Sequence, residues 1–235
     1  MPRFALIDRF ITDPIPPGLN LLVEFDSKSQ WYAASLTIAA EWLKTGGEVY
    51  YNSAVQPPDA IRPSLNKLGV KVDLLEQEDK LRIYDIYTQT LGLKSNEKFA
   101  APLKLAELSI DFSQHIFREA KAPERLRIWD NLSVYGRFND EERWIEFELT
   151  RRLPLSRIQQ STLILAIVRG LHSDRAYKQL EAAVDGVIDF RLDEAGDQTR
   201  NLMRISSLRQ AHFDSRWREV KFTNNYEATI PGGQM

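Results

Sequence analysis

Short apolar runs alternate with longer amphipathic stretches over most of the chain. The short runs, at residues 21–25, 48–52, 81–85, 126–130 and 163–168, predict buried β-strands. The last of them, LILAIV, is apolar throughout, which is typical of a central strand in a parallel sheet. These runs therefore predict the inner strands of one sheet.

Five longer stretches carry apolar side chains at helical spacing and predict helices over residues 30–44, 58–68, 98–120, 140–152 and 174–183. Gly46 and Gly47 follow the first stretch, and the second begins at Pro58 and ends before Gly69, as helix ends commonly do. Because strands and helices alternate, the sequence predicts an α/β fold with parallel crossovers.

The pattern changes in the last quarter of the chain. Residues 186–192, 201–208 and 217–222 look like successive strands joined by polar turns, which predicts an antiparallel extension of the sheet. The length of 235 residues, without an internal repeat or a Gly/Ser-rich linker, favours a single domain over residues 1–235.

Composition narrows the function classes. A formal net charge of −2 argues against a broadly basic surface that coats nucleic acid. The chain has no cysteine, which excludes disulfides, thiolate metal sites and cysteine nucleophiles and suits a cytoplasmic protein. We expect no signal peptide and no membrane span, because the apolar runs are too short. His115, His172 and His212 are too scattered for a metal cluster.

Several short motifs occur in a recognisable order. They are IPPG at residues 15–18, LLVE at 21–24, TGGEVYY at 45–51, LRIWDNLS at 126–133 and VDGVI at 184–188. In this order they resemble the KaiC-like branch of the RecA/RadA ATPase superfamily, over residues 7–225. The resemblance implies a RecA-like, mostly parallel sheet flanked by helices, with antiparallel strands at the C-terminal end. It also implies that Asp130 ends the Walker B strand.

The resemblance places the ATP-binding loop, G-x-x-x-x-G-K-[ST], at residues 25–32, which read FDSKSQWY. In an active loop the glycines let backbone N–H groups wrap the phosphates, the lysine meets the β/γ oxygens and the hydroxyl holds Mg²⁺. Here Trp31 replaces the lysine, Tyr32 replaces the hydroxyl residue and Asp26 adds a negative charge. The predicted degenerate cleft consists of Asp26, Ser27, Lys28, Ser29, Gln30, Trp31, Tyr32 and Asp130.

Two more features of the family's phosphate chemistry are missing. The resemblance implies a catalytic glutamate after the second strand, but residues 52–58 read NSAVQPP and the first acid is Asp59. It also implies a Lys-x-Arg pair near the end that reaches a neighbouring subunit's phosphate. The matching residues are Ser207, Leu208 and Arg209, so only the arginine remains. We therefore predict a pseudo-ATPase, not an enzyme, with no cofactor.

Several alternatives remain open at this stage. Lys28 and Ser29 are a shifted Lys-Ser pair without the glycines that would close the loop on phosphate. Trp31 and Tyr32 either plug the vacated phosphate pocket or stack on a different ligand. Asp130 either holds a metal ion or makes local hydrogen bonds. Six basic residues of the tail form an exposed strand face or contact a nucleic acid or an acidic partner; they are Arg200, Arg204, Arg209, Arg216, Arg218 and Lys221.

The function predicted from these features is that of a scaffold or regulatory subunit. It would assemble with itself, with a RecA-like paralogue or with another protein, away from membranes. The alternatives are a small-molecule sensory domain and a nucleic-acid-associated accessory protein. Because Arg209 has lost its phosphate target, we expect it to pair with Asp26 or a neighbouring acid of another subunit.

Overall fold

The computed structural model of the chain describes residues 4–13, 16, 18–114, 121–195 and 198–231. Within this part, nine strands form one sheet. The strands are β1 (Asn20–Phe25), β2 (Glu48–Ser53), β3 (Leu81–Asp85), β4 (Arg125–Trp129), β5 (Thr162–Val168), β6 (Gly186–Ala195), β7 (Gln198–Leu208), β8 (Arg218–Phe222) and β9 (Ala228–Thr229).

The strands lie in the order β3-β2-β4-β5-β1-β6-β7-β8-β9. From β3 to β6 all neighbours are parallel, and from β6 to β9 they are antiparallel. The predicted α/β class, the mostly parallel sheet and the antiparallel strands at the C-terminal end are therefore confirmed. In parallel sheets ligands bind at the carboxyl ends of the strands, so this edge is the place to look for a site.

The helices are α1 (Ala5–Asp8), α2 (Trp31–Lys44), α3 (Pro58–Lys67), α4 (Val72–Gln77), α5 (Tyr87–Thr90), α6 (Leu105–Gln114), α7 (Glu141–Phe147), α8 (Leu153–Gln159) and α9 (Asp174–Ala183). Apolar side chains of α2 and α3 pack in one core with Val23, and those of α7 to α9 pack in a second core with Leu165. The parallel strands are buried because helices cover both faces, which explains their uninterrupted apolar runs.

Two predicted helix boundaries were wrong. The helix expected over residues 98–120 begins at Leu105, because Pro102 disfavours helical backbone at the residue before it. Residues 115–120, with His115, lie outside the described residues, as do Ile15 and Pro17 of the predicted lead-in. The helix expected to end at residue 152 continues as a π-helical turn, Glu148–Arg152, and then as α8. The wider π turn lets the helix run on although Pro154 has no N–H to donate.

The predicted helix ends near glycine are confirmed at the first two long helices. Gly46 follows α2 with φ of 92°, and Gly69 follows α3 with φ of 82°. Only glycine adopts this left-handed backbone without steric cost, so both helices end where the sequence predicted. Among the helices described, none is long and apolar enough to cross a membrane.

Candidate functional site

Residues 26–30 connect β1 to α2 at the carboxyl edge of the sheet, where a phosphate-binding loop would lie. The Ser29 N–H and hydroxyl both donate to the Asp26 carbonyl, at 2.9 and 2.7 Å, and close a tight turn. The Asp26 N–H donates to the Phe190 carbonyl at 3.0 Å. The Gln30 N–H donates to Asn201 Oδ1 at 2.8 Å. Backbone donors at three positions of the loop are therefore bonded within the chain.

Trp31, which the sequence resemblance aligns with the lysine, is the first residue of α2 and is only 1% exposed. Its ring packs between those of Phe25 and Phe190, with centroids 6.2 and 5.8 Å away. The indole N–H donates to the Asp130 carbonyl at 3.1 Å. The side chain thus points into the core beneath the loop and fills it with apolar surface.

Tyr32, which the sequence resemblance aligns with the hydroxyl residue, is partly buried, and its hydroxyl oxygen is out of contact with water. No hydrogen-bond partner for this oxygen lies among the described residues. Burial, together with the nearby charge of Asp130, raises the pKa of the Tyr32 phenol above its usual range. Below it, the Tyr51 hydroxyl and Ser35 Oγ form a buried hydrogen bond of 2.8 Å. The phenol therefore stays neutral in a buried environment.

Asp130 follows β4 directly and is 1% exposed. Its Oδ1 accepts from the Ala54 N–H at 2.8 Å, and its Oδ2 accepts more weakly from the Val55 N–H at 3.5 Å. Burial raises the pKa of this carboxyl to about 7, although these N–H groups oppose the shift. The carboxylate thus ties the β2 loop to β4, which is the arrangement expected of local hydrogen bonding.

Asp26 is held by its own chain. Its Oδ2 accepts from the Leu192 N–H at 3.0 Å, and its Oδ1 lies 3.7 Å from Arg169 Nε. The Arg169 guanidinium also contacts the buried carboxylates of Glu24, at 3.3 Å, and Asp189. One arginine, directly after β5, therefore lies among two acids at the end of β1 and one acid within β6.

The sequence analysis missed this arginine network. A signal was present, because Glu24 and Asp189 interrupt the apolar runs at residues 21–25 and 186–190, and a buried charge needs a partner. Arg169, directly after β5, is that partner, and Arg204 Nε donates to Asp189 from β7 at 2.7 Å. Pairing over such distances along the chain cannot be deduced from local patterns.

Lys28 and Ser27 lie outside this network. Lys28 is exposed and its Nζ is 3.8 Å from Glu194, which is also exposed. An open depression of about 320 Å³ lies beside them and is lined by Asp26, Ser27, Lys28, Arg169, Leu192 and Glu194. The lining is charged and contains no aromatic side chain, so Trp31 and Tyr32 do not face it.

Comparisons with known proteins identify the family. The sequence profile described as "ATPase: KaiC" matches residues 37–230, most of the chain. The chain belongs to the KaiC family of ATPases. The matched residues begin after the segment 25–32. No curated protein matches the sequence.

Solved structures of KaiC-like proteins share the fold. A KaiC-like protein from the hyperthermophilic archaeon Pyrococcus horikoshii superposes with a TM-score of 0.71 at 15% identity, over 98% of both chains. The flagellar accessory protein FlaH from Methanocaldococcus jannaschii gives a TM-score of 0.71 at 12% identity, over 98% of this chain and all of the other. At these identities the likeness establishes the fold.

The loop after β2 is where the KaiC resemblance expects a catalytic glutamate. Ser53 Oγ donates to the Gln56 carbonyl and closes this loop into a short turn. The first acid, Asp59, is exposed in the first turn of α3 and lies 3.6 Å from Arg62. Asp59 is therefore at the start of the helix, where its contact is with a residue of the same helix.

Arg209 and Asp26 lie far apart within one chain. Arg209 is exposed beside Asp185, at the amino end of β6, and its guanidinium donates to the Ala182 carbonyl at 2.6 Å. Asp26 bonds to Leu192, seven residues further along β6, which corresponds to roughly 23 Å of strand. A bond between these two side chains therefore requires two copies of the chain.

The basic residues of the tail have partners nearby. Five are paired with carboxylates, as Arg200–Asp193, Arg204–Asp189, Arg216–Asp214, Arg218–Asp214 and Lys221–Glu219. Such carboxylates offset the positive charge that would attract a phosphate backbone. Among the described residues, no group of three or more His, Asp or Glu side chains has the arrangement of a metal site.

Proposed function

We propose that this chain is a non-catalytic member of the KaiC family that acts as a scaffold or regulatory subunit, by assembling with itself or with a partner protein. The observation that carries the proposal is the buried position of Trp31. A lysine at this position would extend into the cleft to meet phosphate. The indole instead packs under the loop and bonds to the Asp130 carbonyl.

The remaining residues of the cleft do not fit ATP and Mg²⁺. The N–H groups of Asp26, Ser29 and Gln30 already donate within the chain, so they are not directed at a phosphate. The Asp26 carboxylate brings negative charge to the place where a triphosphate would lie. Asp130 is buried, and each of its oxygens accepts a backbone N–H group of the β2 loop.

The proposal is tested by titrating the protein with ATP and Mg²⁺ in a calorimeter and by measuring phosphate release. We expect no binding at micromolar concentration and no turnover above buffer, because the loop offers neither the glycine backbone nor the lysine. Micromolar binding, or turnover that is abolished by Asp130→Asn, would contradict the proposal. Binding that disappears in Lys28→Ala would identify the shifted Lys28–Ser29 pair as a phosphate site.

Two other functions are less well supported by the site. A sensory domain needs an open pocket near Trp31 and Tyr32, but the neighbouring depression is lined by charged side chains. A nucleic-acid accessory role needs unpaired basic charge, but most of the tail's basic residues are paired with acids. A filled core at the cleft favours a protein whose role is assembly.

We further propose that assembly joins the Arg209 side of one copy to the Asp26 side of the next. Arg209 is exposed and bonded to a carbonyl at the end of α9, so its guanidinium has donors left for a carboxylate. A head-to-tail contact of this type closes into a ring or extends as a filament. Light scattering is expected to give an oligomer for the wild type and a smaller species for Arg209→Ala.

Arg216→Ala is the matched control for this measurement, because Arg216 is exposed in the same tail and pairs with Asp214 of its own chain. We expect it to assemble like the wild type. A wild-type monomer, or an oligomer that Arg209→Ala leaves unchanged, would remove the contact between Arg209 and Asp26.

A further inference from the structure

Two arginines and a tryptophan meet on one face of the antiparallel strands. Arg191 lies in β6, Arg204 lies in β7, and Trp217 directly precedes β8. The guanidinium carbons of Arg191 and Arg204 lie 5.1 and 4.5 Å from the centroid of the Trp217 ring. Each guanidinium is attracted to the ring, but the two positive charges that share it repel one another.

The alternation of side chains along the strands places this group at the surface. In β7, Met203 packs in the core, whereas Leu202 and Arg204 on either side of it are partly exposed. Arg191 of β6 is directly opposite Leu202, so it lies on the same face as Arg204. The Arg191 side chain is itself only partly exposed. The three side chains therefore form one half-buried group that solvent can reach.

Most hydrogen-bond donors of this group have no acceptor. In the part of the chain that the structure describes, the Arg191 guanidinium makes no hydrogen bond or ion pair, and its Nε is out of contact with water. Arg204 donates through its Nε, to Asp189 at 2.7 Å, and the Trp217 indole N–H has no described acceptor. Arginine and tryptophan side chains can only donate, so the group is complementary to an acceptor that carries negative charge.

The carboxylates of β6 and β8 on this face do not supply that acceptor. Each of them contacts another basic side chain, in the pairs Asp189–Arg169, Asp189–Arg204, Asp193–Arg200 and Glu219–Lys221. Among the described residues, Arg191 is therefore the cation of this face that is left without a carboxylate. A half-buried charge is costly without a counterion, and a bound anion would remove this cost.

We propose that Arg191, Arg204 and Trp217 form a binding site for an oxyanion, the phosphate or carboxylate group of a small molecule. The N–H groups of Arg191 form a planar fork that matches two oxygens of such a group. Arg204 adds a second positive charge, and Trp217 adds a neutral donor. The site contains no residue of the predicted ATP cleft, so it is independent of the proposed function.

Tryptophan fluorescence reports on this site directly. Trp217 is partly exposed, whereas each of the other four tryptophans is at most 4% exposed. The full chain is titrated with sodium phosphate, sodium acetate or sodium chloride at the same ionic strength, so that general screening is equal in all three. Chloride has no pair of oxygens to meet the guanidinium fork and serves as the reference anion. Trp217→Phe removes the reporter and identifies the source of the signal.

Arg191→Gln removes the fork, and the variant is expected to fold because the guanidinium bonds to no described residue. Arg200→Gln is the matched control, since Arg200 lies on the same face and pairs with Asp193. We expect phosphate or acetate to change the fluorescence saturably in the wild type and in Arg200→Gln. Binding to Arg191→Gln is expected to be at least ten-fold weaker. Saturation with phosphate alone assigns the site to a phosphate group, and saturation with acetate alone assigns it to a carboxylate.

Thermal unfolding gives a second measurement, because an anion that binds the folded chain raises Tm. The anion that saturates the fluorescence is expected to raise Tm of the wild type and of Arg200→Gln, but not of Arg191→Gln. The oxyanion site would be overturned by the same response to chloride, by no saturable response to phosphate or acetate, by equal losses in the two arginine variants, or by a signal that persists in Trp217→Phe. The ATP titration does not involve these side chains, so failure of the oxyanion site and failure of the pseudo-ATPase proposal are separate results.

Discussion

Replacing Trp31 with alanine is expected to lower the free energy of unfolding by about 3–5 kcal/mol. The side chain is almost completely buried between the rings of Phe25 and Phe190, so truncation leaves a cavity that the sheet and α2 cannot fill. It also removes the donor to the Asp130 carbonyl. Urea denaturation followed by circular dichroism measures the loss. The alanine variant is not expected to gain ATP binding, because the loop still lacks its glycines.

Two further substitutions separate the effect of the cavity on stability from the effect of the lost hydrogen bond. Trp31→Phe keeps most of the ring and loses the indole N–H, so we expect a loss of about 1–2 kcal/mol. Trp217→Ala is the matched control, because this tryptophan is only partly buried and lies between the guanidinium groups of Arg191 and Arg204. Removing the Trp217 side chain is expected to lower the free energy of unfolding by about 1 kcal/mol. If Trp31→Ala costs no more than this control, the indole does not fill the core beneath the loop.

Asp130→Asn is expected to change how stability depends on pH. Burial raises the pKa of Asp130 to about 7 in the folded state, so the folded protein holds a proton that the unfolded chain releases near pH 4. Stability from this group is therefore fully present at low pH and falls as the pH rises toward 7. Asparagine has no proton to lose. From pH 5 to pH 8 the wild type should therefore lose about 2 kcal/mol of its free energy of unfolding relative to Asp130→Asn.

Urea denaturation at several pH values tests this expectation. Asp140→Asn is a matched control, since Asp140 is an exposed helix cap whose side chain accepts from the Arg143 N–H and asparagine caps helices equally well. Its difference from the wild type is expected to stay nearly constant over the same range. A constant difference for Asp130→Asn as well would show that Asp130 is ionised in the folded protein throughout.

Much of the fold was predictable because local sequence and burial agree. Strand β5 reads as an apolar run since both of its faces are covered by helices, and α2 ends before Gly46 because the backbone of that glycine is left-handed. Prediction failed where tertiary contacts decide between two local choices. The helix after α7 passes through a π turn, with Glu148 and Arg152 buried as an ion pair 3.2 Å apart. No local pattern distinguishes that course from a helix that ends.

At the site, the sequence by itself determined which residue types are available. Residues 25–32 contain no glycine, and the sequence resemblance aligns Trp31 with the lysine and Tyr32 with the small hydroxyl. The tertiary structure decided where the replacements go. The Trp31 indole bonds to the carbonyl of a residue 99 positions away, and Asp26 to a backbone N–H 166 positions away. Residue identity limits the chemistry available, whereas the packing of distant strands against one another decides which groups meet.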